Sequence, residues 1–217
     1  MNRIANQASA YIIHSQEEEI KRIAVELHEG VSQNLYSLYT GLEFLQSGIS
    51  DPTMKDYAKD LSELMNRTIQ EVRLLSVELY PNTLAMLGLS SALKSYIKLF
   101  TSTFGIVIQV KSTGEEIELS ESTSLAIFRS CQEALINIAK HADVAEATFQ
   151  FTWEKKSLTI EIMDSGKGFN IHEEMKNNQF KGIAAIKQRM NIAGGRCVIS
   201  SEKNKGTKVS LILPIKE

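Results

Sequence analysis

The sequence predicts an α+β chain: an antiparallel helical hairpin that dimerises into a four-helix bundle, followed by an α/β sandwich. Three observations carry this. Apolar residues recur at three- and four-residue steps through the region up to Leu79, the period of amphipathic helices. Tyr80-Pro81 then stops the pattern, because a proline drives the residue before it out of helical geometry. Beyond it, helical runs mix with short stretches rich in β-branched residues, without strict strand–helix alternation. The expected boundary divides residues 1–81 from residues 82–217.

Residues 1–16 are weakly patterned. Glu17 to Ser47 reads as the first helix, with Ile20, Ala24, Leu27, Val31, Leu35, Leu38, Leu42 and Leu45 on one face. Asp51 is placed to cap a second helix and Pro52 suits its first position. That helix runs to Leu79 with Met54, Ala58, Leu61, Met65, Thr68, Val72, Leu75 and Leu79 as a heptad seam. One hairpin leaves much apolar surface wet, and pairing two would bury it, so a homodimer is expected. Pro81 to Gly88 reads as a connector and Leu89 to Phe104 as a helix broken at Gly105. Ile106 to Val110 reads as a strand, Ser120 to Ala142 as a helix capped by Ser120, and Ala145–Trp153 with Leu158–Met163 as a strand pair. Asp164 to Lys181 is polar and reads as a long loop, then Gly182 to Ala193 as a helix ending at Gly194-Gly195. Arg196–Ser200 and Lys208–Leu213 are the last strands expected.

Composition narrows the class. The chain is 43% hydrophobic and 23% charged with a formal net charge of -2, the profile of a folded soluble protein with no footprint for direct nucleic-acid binding. No apolar run reaches membrane-spanning length, and no secretory leader is expected. A cytoplasmic location is expected, either for the chain itself or as the cytosolic part of a membrane-bound sensor. Cys131 and Cys197 have no metal-binding spacing and read as reduced core thiols.

Several short motifs carry chemistry. His28 follows Leu27 at the edge of the apolar stripe, with Glu29 beside it and Gln33 four residues past Glu29. A neutral imidazole is a good nucleophile, a neighbouring carboxylate can orient it and take a proton, and an amide one turn on can hold a water. Alone, this window also fits an ordinary half-exposed helix histidine. Glu133, Asn137 and Lys140 share a helix face by steps of four and three, and together could hold Mg²⁺ and nucleotide phosphates. Asp164-Ser-Gly166-Lys-Gly168 places a carboxylate at a strand end before a glycine turn. It can accept from the amino group of adenine, and the glycines let backbone approach a ligand. Lys181-Gly182 opens a helix, where free N–H groups favour anions, and Gly206-Thr207 precedes the last strand. Each of these also fits a polar helix face or a common glycine turn.

Their order resembles the N, G1 and G2 boxes of the GHKL ATP-binding superfamily, which includes histidine kinases, DNA gyrase, Hsp90 and MutL. Upstream, Arg22-Ile-Ala-Val-Glu-Leu-His-Glu-Gly-Val-Ser-Gln33 resembles the phosphoacceptor motif of sensor histidine kinases of the two-component systems that work with NarL/LuxR-type response regulators. The segments starting at Leu84 and Gln132 are similar to the same subfamily. The resemblance implies a dimerisation and histidine phosphotransfer domain over 1–81 and a GHKL-type ATP-binding domain over 82–217. It implies autophosphorylation of His28 from ATP, Glu29 as the acid that acts as base, and Gln33 as the residue positioning water when the partner is dephosphorylated. Asn137 would ligate Mg²⁺ with Glu133 in support, and Lys140 would contact phosphate. Asp164 would read adenine, with Thr207 bonding near it, while Gly166, Gly168, Gly182 and Gly206 would shape the pocket. Two departures stand out: Glu29 replaces the usual Asp, and Ala185 replaces the second glycine of the lid-side box. They leave open a degenerate kinase that serves as a phosphotransfer adaptor or scaffold without turning over ATP.

Overall fold

The structure is a computed structural model that describes residues 18–170 and 181–215. The chain divides between Asn82 and Thr83 into two compact units.

The first unit is two helices. The first, α1, covers residues 18–48 and changes pitch within its length: it is α-helical over 18–25, widens to a π turn over Glu26–Val31, and is α-helical again over Ser32–Gly48. At the wide turn the Ser32 N–H reaches back five residues to the Leu27 carbonyl, and Ser32 Oγ donates to that carbonyl at 3.0 Å. The second helix, α2, spans Pro52–Leu79. Asp51 caps it by accepting from the Met54 N–H at 2.9 Å, and Pro52 stands where a missing N–H costs nothing. At its far end Tyr80 turns extended.

α1 packs back against α2. The contact is built from small residues: Ala24, Ser32, Ala58, Ser62 and Ser76 are buried, with Ile69 and Leu74 as the larger fillers. Ser76 Oγ crosses to donate to the Ala24 carbonyl at 2.8 Å. At the Tyr80 end, the Lys21 ammonium lies 5.2 Å from the Tyr80 ring centre. Each expected seam is therefore split, with Ala24 of the first and Ala58 of the second buried in the hairpin and larger members left outside. Leu38 and Leu45 of the first seam and Met54 of the second are more than half exposed. Alanines and serines fill much of the facing surface, and several of the bulkier leucines and methionines stay on the outer faces.

The second unit begins with α3, Asn82–Phe104. Helix thus starts inside the stretch expected as a connector, and the break comes at Gly88, whose φ of 76° suits glycine. The helix resumes with the Ser90 N–H donating to the Glu116 carboxylate at 3.0 Å, a cap supplied from 26 residues downstream. Then follow β1 Val107–Thr113, α4 Glu121–Asn137 extended by a second π turn over Ile138–Ala142, and β2 Glu146–Glu154. After them come β3 Ser157–Asp164, α5 Lys181–Ile192, β4 Arg196–Glu202 and β5 Gly206–Pro214. Ser120 caps α4 by accepting from the Thr123 N–H at 3.2 Å.

The five strands form one sheet in the order β1-β2-β3-β5-β4. β1 runs parallel to β2, and the other pairs are antiparallel. Alternation places Phe149, Phe151 and Trp153 of β2, Leu158, Ile160 and Ile162 of β3, and Leu211 and Leu213 of β5 in the core. α4 and α5 pack on each other, α4 touches β3, and α5 touches β4 and β5. Tyr96 of α3 meets Phe128 of α4 edge-on at 5.7 Å. The result is a layer of helices on a mixed sheet, an α+β arrangement.

Candidate functional site

His28 sits inside the π turn of α1 and is exposed, as are Glu29 and Gln33. The hydroxyls of Ser32 and Ser76 hold the backbone on the buried side of this turn, through Leu27 and Ala24 respectively. Single π turns of this kind concentrate at functional positions, because they interrupt the i−4 ladder and re-aim side chains.

The second unit holds a cavity of about 620 Å³. Asn137, Asp164, Gly168, Gly182 and Thr207 line it. Four segments bring them together: the end of α4, the paired ends of β3 and β5, the loop after β3, and the start of α5. Asp164 and Thr207 are paired across the β3–β5 register, which makes them neighbours although far apart in sequence.

Glu133, Gly166 and Gly206 stand behind the lining. A Cβ at Gly182 would collide with the Glu133 carboxylate, and it would come 3.4 Å from Asn137 Nδ2. Glu133, Asn137 and the start of α5 therefore converge on one spot. Gly166 is pressed against the Ala142 carbonyl, and the Lys167 N–H donates to that same carbonyl at 3.0 Å. The loop after β3 is thus pinned onto the end of the α4 π turn.

Lys140 is exposed and is not among the lining residues. The π turn over Ile138–Ala142 is the physical reason, since steps of four and three assume an unbroken α period. His141 lines the cavity from this turn, as does Lys167 from the loop, its Nζ held 2.8 Å from Asp143 Oδ2. The apolar walls are Ile162, Ile183, Ile186, Ile199 and Val209, with Phe169. Part of this wall could have been found by period: Ile162 and Val209 lie two residues from Asp164 and Thr207 on the same face of their strands. Residues 171–180 of the expected loop lie outside the described residues.

Asp164 is half buried, and that desolvation pushes its carboxyl above the usual carboxylate range, against the opposing effect of N–H bonds from Gly166 and Thr207. The bond from Gly166 is 2.9 Å long. The Lys167 ammonium holds the exposed Asp143 carboxyl below that range. Burial raises both thiols, Cys197 to about 11 and Cys131 further still, so neither is a ready nucleophile. Among the described residues, no cluster of three or more His, Cys, Asp or Glu side chains could hold a metal by itself. No described helix is long and apolar enough to cross a membrane.

A family model described as a histidine kinase matches residues 19–84, and one described as a histidine kinase-, DNA gyrase B-, and HSP90-like ATPase matches residues 122–217. The chain is 32% identical over 207 residues to the signal transduction histidine-protein kinase/phosphatase DegS of Brevibacillus brevis, covering 94% of this chain and 53% of that protein. It is 33% identical over 205 residues to the oxygen sensor histidine kinase NreB of Staphylococcus carnosus (strain TM300), covering 94% of this chain and 58% of that protein. The chain thus spans little more than half the length of these relatives. The histidine kinase domain of a blue-light activated histidine kinase from Erythrobacter litoralis EL346 shares the fold, with a TM-score of 0.52 at 17% identity over 93% of this chain and 94% of that one. A histidine kinase model thus matches the helical unit, an ATPase model matches the sheet unit, and both relatives, each named a histidine kinase, align across the two.

Proposed function

We propose that this chain is the catalytic core of an ATP-dependent protein-histidine kinase. It phosphorylates itself on His28 and passes the phosphoryl group to an aspartate of a response regulator of the NarL/LuxR type. The observation that carries this reading is the convergence of Asn137, Asp164, Gly168, Gly182 and Thr207 on one cavity, with an exposed histidine elsewhere in the chain to receive the group.

In this mechanism the apolar walls take the base, and Asp164 accepts from its amino group. An imidazole nitrogen of His28 attacks the γ-phosphorus, the bond to the ADP oxygen breaks, and Glu29 takes the proton that leaves the ring. Phosphoryl transfer is mostly positioning and charge compensation. Glu133 and Asn137 would hold Mg²⁺. A carboxylate and an amide oxygen suit this hard cation, which keeps its remaining positions for phosphate and water, and the two side chains do meet at Gly182. The metal would supply charge neutralisation on the phosphates. Gln33, exposed on the same helix as His28, would position water for dephosphorylating the regulator. A relative named as a kinase/phosphatase supports that second activity.

The helical unit would work as a homodimer. Leu38, Phe44, Leu45, Met54, Tyr57 and Leu64 expose apolar surface on both of its helices, and a second hairpin would cover it.

The test is incubation with [γ-³²P]ATP and Mg²⁺. The parent chain takes up acid-labile, base-stable label and yields it to a receiver domain, and His28→Gln takes up none while still binding nucleotide. Label retained by His28→Gln would overturn the assignment of His28. A parent chain that binds ATP and never becomes labelled would favour the adaptor reading.

A further inference from the structure

Ser201 of β4 does not line the cavity, yet its hydroxyl ties together two residues that do. Ser201 Oγ accepts from the Phe169 N–H at 2.9 Å and donates to the Gly206 carbonyl at 3.0 Å. It also lies 2.9 Å from Thr207 Oγ1. Phe169 and Thr207 are both in the lining. Register explains the meeting: Thr207 on β5 faces Ser201 on one side and Asp164 on the other.

A hydroxyl has one proton to give. With the Ser201 proton on the Gly206 carbonyl, the Ser201–Thr207 bond must run from Thr207 to Ser201. The Thr207 proton is then committed away from the cavity, and Thr207 Oγ1 presents only lone pairs to it. Asp164 beside it is likewise an acceptor, bonded by the N–H groups of Gly166 and Thr207. This end of the cavity therefore offers two acceptors and no hydroxyl donor, so whatever meets Thr207, base or bridging water, must donate to it.

We infer that Ser201 is a positioning residue that fixes the proton direction of Thr207 and thereby makes the site select a 6-amino purine over a 6-oxo purine. This rests on the nucleotide reading given above. A 6-amino group brings protons to an acceptor-only wall. A 6-oxo group brings lone pairs against lone pairs, and unpaired acceptors in a partly desolvated site are costly. If Ser201 lost its hydroxyl, Thr207 would be free to turn its proton into the cavity and serve a 6-oxo group as well.

The experiment measures equilibrium binding of ATP and inosine triphosphate, each with Mg²⁺, to the full chain and to Ser201→Ala, Ser201→Thr, Thr207→Val and the Ser201→Ala/Thr207→Val double variant. The parent prefers ATP. Ser201→Ala shrinks the ATP-to-ITP preference about tenfold, the size of one lost hydrogen-bond discrimination. Ser201→Thr keeps the hydroxyl and the preference, and Ser201→Ala adds nothing in the Thr207→Val background. Equal weakening of both nucleotides in Ser201→Ala would make Ser201 merely structural and overturn the inference, as would an unchanged ratio. Should Ser201→Ala fail to fold, a Ser201→Thr chain that folds but loses the preference would overturn it as well. A parent chain that binds neither nucleotide would instead overturn the ATP reading itself.

Discussion

The two units solve the problem of burial differently. The sheet unit fills its core with bulk: Tyr96, Phe100, Phe128, Phe149 and Phe151 are all essentially inaccessible. The hairpin buries alanines and serines between its helices and turns Phe44, Leu45, Met54 and Tyr57 outward, with Phe44 78% exposed. Apolar burial at roughly 25 cal/mol per Å² is the main stabilising term. A unit that withholds its largest side chains from its own interior is only partly stabilised by itself. The sheet unit covers its largest aromatic side chains itself, whereas the hairpin leaves several of its own exposed.

The largest effect expected from this contrast is in the sheet unit. Phe149→Ala should cost it about 3–5 kcal/mol, because a close-packed core cannot collapse onto the space left behind. Denaturant titration followed at Trp153 reads this directly. A loss near zero would mean that the unit is not as self-sufficient as its packing indicates. Second, Leu45→Lys should leave that Trp153 transition where it is and shift the hairpin's oligomeric state toward monomer at micromolar concentration. Analytical ultracentrifugation checks it, and an unaffected dimer would move the interface elsewhere on the helices.

The third expectation concerns pH and has two opposite signs. Asp164 has a raised pKa in the folded chain, so the folded state holds that proton more tightly than the unfolded state does. Its contribution to stability is therefore most favourable at low pH, and falls as pH rises through the ordinary carboxylate value up to the raised one. On the proposed reading, nucleotide binding needs the ionised form of Asp164 to accept from the base. It should weaken as pH falls through the raised value, approaching tenfold per pH unit below it. Calorimetry of the empty and ATP-loaded chain across mildly acidic pH separates the two, and trends of the same sign would exclude Asp164 as the cause. The smallest effect is Ser76→Ala. Losing the bond to the Ala24 carbonyl should lower hairpin stability by about 1 kcal/mol, seen as a small drop in thermal midpoint with the sheet unit unmoved.

Local signals in the sequence carry much of this architecture. Asp51-Pro52 and Ser120 mark helix starts because capping is a matter of neighbouring atoms, and both side chains make their bonds. Asn137, Asp164 and Thr207 can be picked out for a similar reason, since each stands at or beside the end of an element, and all three line one cavity. What could not be read depended on distant backbone. Ser201 gains its place only through the β4–β5 register. The Glu116 cap on the helix after Gly88 joins residues with no pattern between them. Lys140 and the α1 stripe were placed by counting threes and fours through stretches that are not α-helical throughout. The same count marked apolar faces that a second hairpin was expected to help cover, because apolar periodicity reports that a face will be covered and is silent about which surface covers it.

The wide turn at His28 also sets the phase of its helix. Ala24 and Ser32 are both buried, eight positions apart. At about 100° per residue, eight α-helical steps overshoot two revolutions by about 80°, which would aim one of these side chains well off the shared face. The extra backbone step absorbed between Glu26 and Val31 cancels most of that overshoot. Straightening the turn at full length would lose this alignment, turning every side chain from Ser32 to Gly48 by about a quarter revolution relative to residues 18–25. A chain shortened by one residue there would instead regain an uninterrupted ladder and keep it, because seven α-helical steps fall only about 20° short of two revolutions. The histidine thus occupies the point about which the two segments of α1 are clocked.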